Sequence, residues 1–99
     1  MVVHEVRLAQ TALAIKLDTQ IDLTDMQTGK IRYRKADGTT GEWAALEDTP
    51  GVLQYNIQDE NDLDQLGLWL MWTHVTFTDN SVAPGDPIRV MVLNEGVIS

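Results

Sequence analysis

The chain contains no cysteine, so neither a disulfide framework nor a thiolate metal site can compensate for small size. Histidine is nearly as scarce: His4 and His74 are the two present, too few for a usual zinc site when thiolates are missing. Serine occurs only as Ser81, in a polar turn, and Ser99. Neither has the glycine elbow or the triad context of a nucleophile. The seven glycines are scattered among turns and strand starts, which leaves no phosphate-cradling loop. Apolar runs such as Leu66 to Trp72 fall far short of the roughly 20 residues that a membrane span needs, and residues 1–15 lack a signal-peptide core. Basic residues are few as well, seven Lys and Arg against fifteen Asp and Glu, for a formal charge of −8. That balance repels phosphate backbones and disfavours nucleic acid and anionic membranes as partners. These absences predict a protein without catalytic residues, cofactor or resident metal, made in the cytoplasm without an export signal.

What remains is strand and turn. A chain of 99 residues has the size of a single domain, 1–99, around one core. Ala36-Asp37-Gly38-Thr39 is the clearest turn, because Asp-Gly supplies the positive φ values of a tight hairpin, and it should join strand 29–35 to strand 40–46. Thr49-Pro50-Gly51 marks a second turn. Residues 79–81 and 83–87 mark one long irregular connection before the last strand. Between these markers the chain alternates with period two. Leu13, Ile15 and Leu17 oppose Ala14 and Lys16, and Leu53, Tyr55 and Ile57 repeat the pattern. Ile31, Tyr33 and Lys35 oppose Lys30, Arg32 and Arg34. In 67–77, Trp69, Met71, Val75 and Phe77 form one face, and Leu68, Leu70, Trp72, His74 and Thr76 the other. Ile88, Val90 and Val92 oppose Arg89, Met91 and Leu93. A helix is allowed only over Asp59 to Leu66, for one or two turns ended by Gly67. Six to seven short strands at this spacing predict an all-β, immunoglobulin-like Greek-key β-sandwich.

The acidic cluster Asp59, Glu60, Asp62 and Asp64 lacks the ligand series and central glycine of a calcium loop. It reads as an acidic turn in water, with cation binding left open. The greatest functional content lies in the late strands, which are apolar on both faces. If strand 29–35 neighbours strand 67–77, and that strand neighbours 87–94, the outer face of one sheet displays Arg32 and Arg34 beside Leu68, Leu70 and Trp72, with Met91 and Leu93 beyond. These residue types are enriched at protein interfaces. The competing expectation is that a loop or the N-terminal segment covers them.

The run KIRYRKADGTTGEW from Lys30 to Trp43, then GVLQY from Gly51 to Tyr55, Gly67-Leu68-Trp69 and Val75-Thr76-Phe77, resembles small immunoglobulin-like proteins of tailed bacteriophage virions. Ala36 stands where many of those proteins have a proline. The resemblance implies a non-enzymatic structural protein of the head, neck, tail or baseplate, present in multiple copies and docking to other virion proteins through the sheet face just described. A carbohydrate- or ligand-binding β-sandwich module is the alternative, with Trp43 and Trp72 as stacking platforms.

Overall fold

The computed structural model describes residues 3–11 and 13–94, and the side chains from Glu5 onward within them. Eight strands run in chain order: β1 (Val3–Arg7), β2 (Leu13–Asp18), β3 (Met26–Arg34), β4 (Thr40–Glu47), β5 (Val52–Ile57), β6 (Gly67–Phe77), β7 (Val82–Pro84) and β8 (Ile88–Leu93). They form a Greek-key β-sandwich. The strand order is β1-β8-β6-β3-β4-β5-β2, with β7 beside β6, and β4 is the corner at which the sheet folds over. Residues Thr40–Ala45 of β4 pair with β3, while Leu46 and Glu47 pair with β5. The larger sheet is therefore β1-β8-β6-β3-β4 and the smaller is β4-β5-β2.

Alternation determines what each sheet buries. Ile31, Trp69, Met71, Val75, Val90 and Val92 point inward from the larger sheet, and Ile15, Leu17, Leu53 and Ile57 from the smaller. Loop residues Leu23 and Leu63 close the core at its ends. Across the corner, four successive strands each contribute one aromatic ring. Trp69 of β6 lies 5.4 Å from Tyr33 of β3, Tyr33 lies 4.6 Å from Trp43 of β4, and Trp43 stacks on Tyr55 of β5 at 4.9 Å.

The predicted strands and their facing are observed, including the neighbour relations β3–β6 and β6–β8. Three expectations are corrected. There are eight strands rather than six or seven. β1 adds to β8 in parallel, too close to the start to show a pattern, and β7 interrupts the connection expected to be irregular, holding three residues against His74, Val75 and Thr76. The Asp37-Gly38 turn is not the two-residue type. The Gly38 N–H donates to the Lys35 carbonyl at 2.9 Å, and Gly38 alone takes a positive φ, +91°, the three-residue loop that ends in a bulge.

The third correction is that no helix forms at 59–66. The segment closes a tight turn instead, with the Asp62 N–H donating to the Asp59 carbonyl at 3.0 Å, and other polar groups of it bond to side chains and to distant backbone. The Asn61 N–H donates to Asp59 Oδ1, the Ala9 N–H takes the Leu63 carbonyl at 2.9 Å, and the Gln65 carbonyl accepts the Trp69 indole N–H at 3.0 Å. Leu63 is fully buried, so the segment plugs one end of the sandwich.

Gly41 sits directly opposite Tyr33, and a Cβ there would run into the tyrosine ring. Gly41→Ala should therefore displace Tyr33 from the aromatic row and destabilise the fold by about 1–3 kcal/mol, measured by urea denaturation; an unchanged midpoint would mean the ring is not held there. A second prediction concerns Tyr55. Its hydroxyl donates to Asp62 at 2.9 Å, and burial first, then that carboxylate, push its pKa up from 10.0 to about 12. A raised pKa stabilises the protonated folded form, so the contribution is full below pH 10.0 and is lost as pH rises through about 12. Tyr55→Phe should flatten that alkaline loss of stability, and ultraviolet absorbance of the tyrosinate should place the Tyr55 midpoint near 12.

Candidate functional site: the outer face of the larger sheet

With Ile31, Trp69, Met71, Val90 and Val92 turned inward, the residues between them project from the opposite face of the larger sheet. β3 presents Lys30, Arg32 and Arg34, β6 presents Leu68, Leu70, Trp72 and His74, and β8 presents Arg89, Met91 and Leu93. All seven residues predicted as an interface thus share one face. Their cross-strand register is specific: Arg32 opposes Trp72, Arg34 opposes Leu70, Leu70 opposes Arg89, and Leu68 opposes Met91. The described part of the N-terminal segment does not cover them, because β1 lies at the edge of the sheet beside β8.

The face is less open than the pattern suggested. Leu70, Trp72, Met91 and Leu93 are half-buried, and Leu68 is 39% exposed. Long side chains standing side by side on a sheet shield each other without any covering element.

Charge is sorted by pairing. Glu42 on β4 takes both Lys30, at 2.6 Å, and Arg32, at 3.4 Å, and these cations hold its carboxyl below the usual range. Lys16 pairs with Asp48 at 3.2 Å and Lys35 with Asp64 at 2.9 Å. Arg34 and Arg89 are different. Both are exposed, and among the described residues neither has a carboxylate within ion-pair distance, although acidic residues outnumber basic ones two to one. Both line an open depression of about 440 Å³ floored by Leu68 and Leu70 and bounded by the 35–38 turn. Asp37 also lines the depression; its Oδ1 accepts the Thr39 N–H and its Oδ2 the Gln65 side-chain amide, both at 2.9 Å, and these bonds hold its carboxyl below the usual range, so it stays a charged group at the rim.

Other predicted features resolve differently. Trp43 is 6% exposed and stacked on Tyr55, so it is core and offers no platform to a sugar; only Trp72 remains on the surface. No group of three or more His, Asp or Glu suited to a metal ion occurs among the described residues. Within the acidic turn, Asp62 holds Tyr55 and Asp64 holds Lys35. The His4 side chain and Ser99 lie outside the described residues. Sequence reasoning missed Arg89 as a site residue. Its position opposite Leu70 depends on the β6–β8 register, although its outward facing was already evident from the alternation with Val90.

No family model and no curated protein sequence matches the chain. Among solved structures, CopC from Methylosinus trichosporium OB3b superposes with a TM-score of 0.60 at 14% identity, over 97% of this chain and 88% of that one. At that identity the likeness shows the fold alone. CopC is a copper-binding protein, and it corrects the functional expectation. The sandwich that suggested a structural protein of a phage particle occurs also in CopC, and nothing in the comparisons comes from a virion. The virion assignment is withdrawn.

His74 provides a test of the face's electrostatics. It stands opposite Lys30 on β3, and its pKa is lowered by burial first and then by Arg32 and Lys30, against an opposing pull from Glu42. A depressed histidine stabilises the fold while neutral and loses that contribution as pH falls through its folded pKa. The His74 midpoint followed by proton NMR should lie below 6.5, fall further in Glu42→Gln and rise in Lys30→Gln. Shifts of the opposite sign would contradict the described pairing.

Proposed function

We propose that the protein is a non-enzymatic, ligand-binding β-sandwich module whose site is the outer face of its larger sheet. The observation that carries this reading is the pair of exposed guanidinium groups, Arg34 and Arg89, that have no ion-pair partner among the described residues and stand over an apolar floor in a strongly acidic chain. Exposed cations are ordinarily matched by surrounding carboxylates when carboxylates are this abundant, as Lys16, Lys30, Arg32 and Lys35 are here. Leaving two unmatched beside leucines creates a surface complementary to a ligand with an anionic group and an apolar body. Binding, not catalysis, suits the face: the depression is open to water, and the described strands bring no nucleophile and base together there.

Anilinonaphthalene sulfonate has that chemistry, a sulfonate on an aromatic body. The folded protein should bind it with a rise in dye fluorescence, and Leu70→Glu, which sets a carboxylate between the two arginines, should weaken binding at least tenfold. Leu46→Glu, at a leucine that is 79% exposed elsewhere on the molecule, should leave it unchanged. No binding, or equal loss in both variants with circular dichroism intact, would overturn the reading.

A further inference from the structure

Resting on that reading, we infer that the ligand is an extended, acidic segment of polypeptide, bound along β6 with one carboxylate seated between Arg34 and Arg89. Three features of the face point to this occupant.

The first is the row itself. Arg34, Leu70 and Arg89 stand in one cross-strand line. Neighbouring strands lie about 4.8 Å apart, so the two arginine backbones are separated by about 10 Å, and both side chains are long enough to lean toward a group above Leu70. Planar guanidinium groups match carboxylate oxygens in pairs of parallel hydrogen bonds. The second is the repeat along β6. Leu68, Leu70 and Trp72 are alternate residues on the outward side, so their spacing of about 6.7 Å equals that of alternate side chains on any extended chain. An acidic residue over Leu70 would place its apolar neighbours, two residues either way, over Leu68 with Met91 and over Trp72. The third is openness. The depression is shallow and continuous with a flat sheet face, whereas small-molecule sites enclose most of the ligand surface; a longer chain gains its area by extension.

Charge complementarity also ranks the candidates for this surface. A second copy of the chain carries −8 and meets strong general repulsion on approach, while a segment with a single carboxylate meets proportionally less.

The test titrates the intact protein with the blocked pentapeptide Leu-Ser-Glu-Ser-Leu, whose leucines stand two residues either side of the single carboxylate. The readout is tryptophan emission, in which Trp72 is the surface reporter because Trp43 and Trp69 are buried. Saturable binding that Arg34→Gln and Arg89→Gln each weaken at least tenfold, and that added salt weakens further, is the expected result. Arg34→Lys should recover only part of the loss, since an ammonium keeps the charge without the paired geometry. Equal binding of the counterpart with lysine in place of the glutamate would overturn the inference. So would inorganic phosphate binding with the same affinity and variant dependence, which would make the seat a site for small anions. Concentration-dependent doubling of mass without peptide, abolished by Arg34→Gln, would replace the peptide with a second copy. Sulfonate-dye binding without peptide binding would reject this inference and leave the ligand-binding reading standing.

Discussion

The contact on which the rest of the structure depends is the aromatic row Trp69–Tyr33–Trp43–Tyr55. A sandwich of this size has little core to spare, and here four adjacent strands, β6, β3, β4 and β5, are joined by one ring from each across the point where the sheet turns back on itself. Offset and tilted rings add to the area they bury, and their lateral positions allow little slippage, because a one-residue shift would send a ring to the opposite face. The row is fastened at its flanks. Tyr55 donates to Asp62, and the Lys35 ammonium sits 5.7 Å from the centre of the Trp69 ring while paired with Asp64. The acidic turn that resembled an unemployed surface loop is thus the clasp of the row, its carboxylates used as structural acceptors.

Fixing the inward register fixes the outward one. With Tyr33 over Gly41 and Trp69 in the core, Arg34 must face away from the core opposite Leu70, and the β6–β8 pairing then brings Arg89 to the other side of the same leucine. The proposed binding face is in this sense a by-product of core packing: the strand register sets the backbone spacing of Arg34 and Arg89 on either side of Leu70. The pairing of Lys30 and Arg32 with Glu42 confines the unmatched positive charge to one end of the face.

Most of the sandwich was legible in the sequence because period-two alternation and turn chemistry act locally. Leu13–Leu17, Ile31–Tyr33 and Trp69–Val75 each announce their buried side. The parts that were not legible depend on distant partners. β1 is defined by a parallel edge on β8, β7 by the far end of β6, and the path of 59–66 by bonds to Ala9 and Lys35, both distant from it in sequence, as well as to Tyr55. The candidate site divides in the same way. Alternation gave the facing of Arg34, Leu70 and Trp72, but neither the pairing state of the arginines nor the approach of Arg89 to Leu70 follows from facing alone. Trp43 shows the converse limit, an aromatic near a hairpin that reads equally well as a platform or as core until its neighbours Tyr33 and Tyr55 are in place. Resemblance of hairpin motifs misled for a related reason: residues that any such hairpin prefers carry the fold and not the role.

The most direct test of the central claim, that the outer face of the larger sheet is where this protein binds, is an amide proton–nitrogen correlation spectrum recorded while the acidic pentapeptide or the sulfonate dye is titrated in. Shifts concentrated at Arg34, Leu68, Leu70, Trp72 and Arg89 are the predicted result. Shifts concentrated instead along β2 and β5, or in the apolar groove of about 310 Å³ where β1 and β8 face β2, would contradict it.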